Sequence, residues 1–65
     1  MKFDAEKLKG EREKRNWSIT EMCSKLVMAR QQYDLIESGK NRPNIETISR
    51  IANVLGISGK ALLGE

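Results

Sequence analysis

Sixty-five residues with one cysteine and no histidine leave few ways to build a stable fold. A chain of this length buries only about 60% of its unfolded surface, and with Cys23 as the lone thiol it has neither a disulfide framework nor the usual zinc ligands, so an aliphatic core must carry the structure. No apolar run approaches a membrane span and nothing resembles a signal peptide, which points to a cytoplasmic chain; the net charge of +3 suits a polyanionic partner and a solvated surface equally well.

Apolar residues recur at helical spacing throughout, and β-branched residues never alternate in a strand-like way. The first predicted helix spans 4–15. Asp4 caps it, Phe3 and Leu8 are spaced as a hydrophobic staple, and Ala5, Leu8 and the stem of Arg12 face inward. The second spans 18–26: Ser18 and Glu21 form a capping box, and Ile19, Met22, Cys23 and Leu26 make the apolar stripe. After the connector Val27-Met28-Ala29 a third helix spans 30–38, closed by Gly39. The polar loop "GKNRPN" leads to a fourth over 44–55, capped by Asn44, with the stripe Ile45, Ile48, Ile51, Ala52 and Leu55 and a stop at Gly56. Ser58 opens a last short helix over 58–63. The result is an all-α, compact five-helix bundle forming a single domain over 1–65.

The third helix, in "ARQQYDLIESGK", has an unusual outer face. On a helical wheel Ala29, Tyr33 and Ile36 fall together, while Gln31, Asp34, Leu35 and Ser38 lie opposite and Arg30 and Gln32 flank the first turn. A solvated helix would show Lys and Glu there. Glutamine can donate to and accept from adenine's major-groove edge, arginine can donate twice to guanine, and leucine can meet a thymine methyl. The short connector forces a sharp turn that makes this helix project, as a recognition helix must.

From Leu8 to about Leu63 the chain resembles the lambda-repressor-like helix-turn-helix domains of the Cro and phage-repressor (XRE) family. The text that carries the resemblance is "LKGEREKRNWS" and "TEMCSKLVMARQQYDLIESGKNRPNIETISRIANVLGIS", above all the Glu-Ser-Gly-Lys element, the Arg-Pro that follows it and the Ile-Ala…Leu-Gly-Ile-Ser run. The resemblance implies base contacts from Arg30, Gln31, Gln32 and Leu35. It implies contacts to the DNA backbone from Ser38, Lys40, Arg42 and Ser18, and an ion pair between Arg12 and Glu37 that ties the first helix to the third. Three positions depart from the pattern. Ile19 stands where the family has a phosphate-holding glutamine, Val27 replaces the turn glycine, and Ala29 stands at a cap better served by serine or threonine. Asp34 adds a negative charge on the DNA side.

Together these readings describe a sequence-specific, repressor-type transcriptional regulator that binds double-stranded DNA as a homodimer on a palindromic operator, with no cofactor, metal or small-molecule ligand. Ile57 and the last helix, with Leu62 and Leu63, are the expected dimer surface. The alternative is a protein-interaction module on the same fold. An enzyme is set aside for want of a histidine, a phosphate-binding glycine loop or an acid-base pair. Cys23 is read as packing, and Trp17 and Tyr33 as core, the tyrosine hydroxyl pointing to the surface.

Overall fold

Side chains that the sequence already marks fix three of the four helix starts in the computed structural model, which describes residues 2–64. Helix α1 (Ala5–Lys14) begins where the Asp4 carboxylate accepts the Lys7 amide at 3.1 Å. Helix α2 (Ile19–Leu26) opens with a complete capping box, Ser18 and Glu21 each accepting the other's amide at 3.0 Å. Helix α4 (Ile45–Leu55) starts under Asn44, whose side chain accepts the Thr47 amide at 2.8 Å. Helix α3 (Arg30–Glu37) has only Ala29 before it and no side-chain cap. Its first-turn amides therefore stay unpaired at the positive end of the helix dipole.

The expected fifth helix is not a helix of the α type. Gly59–Leu62 makes a single 3-10 turn, and the Ser58 side chain caps nothing. Four residues cannot offset the cost of nucleating an α-helix. Instead Leu63 turns extended and joins an antiparallel pair of two-residue strands, β1 (Lys2–Phe3) with β2 (Leu63–Gly64), in the register Lys2↔Gly64 and Phe3↔Leu63. The Asp4 amide donates to the Leu62 carbonyl at 2.8 Å and extends this clip toward α1. The fold is four helices plus a clip rather than five helices.

Leu8, Met22, Leu26, Tyr33, Ile36, Ile51, Ala52, Leu55 and Leu62 form the core, with Cys23 and Ile48 at its edge. Ile45, expected in the α4 stripe, is instead 75% exposed. It is the first helical residue, and a helical side chain leans toward the N-terminus, which carries this one past the core into solvent. Tyr33 also departs from expectation. Its hydroxyl is fully buried and makes no hydrogen bond of acceptable geometry, and burial first, then the adjacent Glu37 carboxylate, push its pKa far above the ordinary value.

Three arginines tie the helices together, only the first of them buried. Arg12 is 7% exposed; it donates to both Glu37 carboxylate oxygens, at 3.1 and 2.9 Å, and to the Trp17 carbonyl at 2.6 Å. Arg15 donates to the Leu55 carbonyl at 2.6 Å and to Glu11 at 2.8 Å. Arg50 donates to the Leu26 carbonyl. Leu26 and Leu55 are the last residues of α2 and α4, whose carbonyls have no partner within their own helix. Burial, the largest single influence, pushes Glu37 up, but Arg12, by hydrogen bond and charge, together with Tyr33 and Lys9 holds the carboxyl below its ordinary value.

The α2–α3 turn is strained. Val27 sits at φ 54°, ψ 55°, and the following amide, that of Met28, donates back to the Cys23 carbonyl at 3.0 Å in a left-handed helix-ending motif. That conformation costs an L-residue about 1–2 kcal/mol, and a β-branched side chain is especially unsuited to it.

Val27→Gly is expected to stabilise the fold by about 0.5–1 kcal/mol, the relieved strain exceeding the extra entropy of glycine in the unfolded chain. The side chain is 85% exposed and surrenders little packing. Chemical denaturation checks the gain.

Arg12→Met is expected to cost about 3 kcal/mol, the low end of the range for breaking a buried pair, because Glu37 keeps its charge without a cation. Arg12→Met combined with Glu37→Met removes both charges and should recover most of that loss in the same assay.

Hydrogen bonding by Arg15, with help from Lys7 and Lys14, lowers the Glu11 carboxyl from 4.5 to about 2. A depressed folded-state value gives stability that is present above pH 4.5 and is lost as the pH falls toward 2. Glu11→Gln should flatten that acid limb in a pH titration of the unfolding midpoint.

Candidate nucleic-acid interface

Helix α3 packs on α1 and α2 through Tyr33 and Ile36, both essentially buried, and turns its remaining faces outward. The Arg12–Glu37 pair fixes its far end to α1, and the left-handed Val27 turn fixes its near end to α2. Between these anchors Arg30, Gln31, Gln32, Asp34 and Leu35 are exposed, Leu35 at 41%.

The outer face forms an open hollow lined by Gln31, Asp34, Leu35, Ser38 and Lys40. Arg30 lies at its edge, its Nε 3.7 Å from Asp34 Oδ2, with side chains 62% and 49% exposed. The rim is held by backbone hydrogen bonds: the amides of Lys40 and Asn41 both donate to the Leu35 carbonyl at 3.0 Å. Gly39 adopts φ 84° to make that return possible, a conformation that favours glycine. Lys40 is thereby placed beside the end of α3.

The remaining residues singled out from the sequence are spread around this hollow rather than within it. Arg42 lies on a neighbouring hollow with Lys2, Phe3, Ala5, Gly39 and Asn41. Ser18 is at the start of α2, where its hydroxyl oxygen is engaged in the capping box. The Ser38 hydroxyl donates to the Leu35 carbonyl at 3.1 Å, so a contact to another acceptor would require it to rotate. Gln32 is exposed but lines neither hollow.

Two basic residues enter the picture only in three dimensions. Lys9 on α1 shares a hollow with Ile19, Asp34, Glu37 and Ser38, beside the outer face of α3. Lys2 on β1 stands next to Arg42. The sequence gives no local sign of either placement, since the Arg12–Glu37 tie creates the first and the strand clip the second. A surface lysine in helix α1 is otherwise indistinguishable from its neighbours.

Among the described residues no group of His, Cys, Asp and Glu is assembled to hold a metal ion, and no helix is long and apolar enough to cross a membrane. Cys23 is buried, which first of all raises its thiol pKa; the nearby Asp34 charge pushes the same way.

Comparison with known proteins agrees with this geometry. A prophage SPbeta-derived, uncharacterized helix-turn-helix-type transcriptional regulator of Bacillus subtilis (strain 168), YonR, is 36% identical over 58 residues, 89% of this chain. The chain spans only 54% of that relative's length. The crystal structures of apo-HppE and of FeII HppE in complex with substrate superpose with a TM-score of 0.83 at 31% identity, over 92% of this chain but only 34% and 35% of theirs. The sequence model of the helix-turn-helix family matches residues 8–62, nearly the whole chain, and the chain belongs to that family.

Proposed function

We propose that this chain is the DNA-binding part of a transcriptional regulator that inserts α3 into the major groove of duplex DNA. The observation that carries the reading is the outer face of α3, exposed, uncapped at its positive end and bearing Arg-Gln-Gln where an ordinary surface helix carries Lys and Glu. The name of the Bacillus relative supports it.

In this reading Arg30, Gln31, Gln32 and Leu35 contact bases, while Ser38, Lys40, Arg42 and Ser18 contact the backbone and set the register. Lys9 supplies a further phosphate contact beside Ile19, where the family's glutamine is missing. An eight-residue helix is about 12 Å long and covers only three or four base pairs, too few for useful specificity. A homodimer on a palindrome follows, with α3 helices repeating about 34 Å apart, and Ile57 and Leu63, both half-buried, as its expected contact surface; Leu62, expected there from the sequence, is fully buried in the core instead. Repression and a cytoplasmic, nucleoid-associated location belong to the same reading, which is one of binding without catalysis.

A second reading, a protein-interaction module, draws on the exposed apolar side chains Val27, Leu35 and Ile45. Salt dependence separates the two. Selection of bound duplexes from a random library, followed by affinities over a salt series, is expected to yield an enriched palindrome and a steep loss of affinity with salt. Gln31→Ala should weaken binding to the selected site far more than to scrambled DNA. Binding that is feeble, unselective and insensitive to salt would favour the protein partner.

A further inference from the structure

The carboxylate of Asp34 is out of place on a face that otherwise offers cations and amides, and its partner is the residue one turn earlier. Arg30 Nε lies 3.7 Å from Asp34 Oδ2, an ion-pair distance without a closed hydrogen bond. As a device for stabilising the helix the pair is poorly placed. Arg30 is the first residue of α3, at the positive end of the dipole, with no acid in the first turn. The order cation-then-acid is also the weaker of the two for an i,i+4 pair. Both side chains are about half exposed or more, where such a pair contributes little in water.

The groove changes the balance. With α3 against DNA, water leaves the hollow, attraction between the pair strengthens, and an unpartnered carboxylate would face phosphates of like charge. Lys40 and Lys9 border the hollows that Asp34 lines, but among the described residues only Arg30 pairs with it. The carboxylate approaches from the Nε side. That leaves the two terminal Nη groups free, and these are the donors that reach guanine O6 and N7 together.

Resting on the DNA-binding reading above, we infer that Asp34 is a positioning residue which aims Arg30 at a guanine and, through its own charge, discourages binding to phosphate alone. Each half-site therefore contains one guanine whose recognition needs both residues. Removing the carboxylate frees Arg30 to swing to a phosphate, so specificity falls while affinity for unrelated DNA does not.

The test is duplex selection from a random library with the wild-type chain, Arg30→Ala, Asp34→Ala and Asp34→Asn. Affinities are then measured for the selected site, the site with the implicated guanine changed to adenine, and scrambled DNA; circular dichroism confirms folding of each variant. Arg30→Ala should abolish the preference at one guanine. Asp34→Ala should lower the preference at that same position roughly five- to hundredfold, leave other positions unchanged, and bind scrambled DNA at least as well as wild type. Asp34→Asn keeps an oxygen for Nε and should retain more of the preference than Asp34→Ala. An undiminished guanine preference in Asp34→Ala, with affinity raised equally for every duplex, would overturn the inference and leave the DNA reading intact. So would a guanine preference that survives Arg30→Ala. No enrichment by the wild-type chain would overturn the DNA reading, and this inference with it.

Discussion

Arg12 makes no side-chain hydrogen bond within its own helix; its guanidinium closes a fork on Glu37 of α3 and reaches the Trp17 carbonyl in the loop before α2. One side chain thereby sets the position of two segments against α1. Planarity is what allows this, because five donors in a rigid fan can grip both oxygens of a carboxylate on one edge and a carbonyl on another, a geometry that the three tetrahedral donors of an ammonium do not match. Without this tie α3 would lean chiefly on Tyr33, Ile36 and a strained three-residue connector. The exposed face would then have no fixed orientation, and a reading surface needs its side chains held to a fraction of an ångström on a rigid element.

The same economy governs the other arginines. Arg15 and Arg50 satisfy carbonyls at the ends of α4 and α2, which a larger protein would cover with further structure. So part of the net positive charge, which by itself suits a polyanionic partner and a solvated surface equally well, is an internal fastening. Arg15 and Lys25 also lie over the Trp17 ring, at 5.8 and 4.5 Å from its centre, and shield it from solvent. The cations left facing outward beside α3 are fewer, and they come from three elements: Lys9, Arg30 and Lys40.

The helices were legible because their starts are written in local chemistry. Asp4, the Ser18–Glu21 box and Asn44 each act within three residues of sequence, and the stripes of α2 and α4 follow directly. What could not be read is what depends on distant partners. The strand clip spans two residues on each side, too short to show any alternation. The last turn has the composition of a helix and lacks only the length. Ile45 fits the stripe by spacing, yet a stripe has no means of saying where the core ends. The outer face of α3 was legible from periodicity alone, whereas the neighbourhood of Lys9 exists only once α1 and α3 are packed.

Cys23 lies in the second half of α2, with 7% of its surface exposed, and the chain contains no second thiol. Alkylation of the folded protein therefore requires a local opening around the second half of α2, or the whole chain to open. The ratio of its labelling rate in the native state to that in denaturant converts directly into the free energy of that opening. The helix-turn-helix thus carries its own gauge of how firmly α2 is seated, and the gauge works without any probe being added to the exposed face of α3.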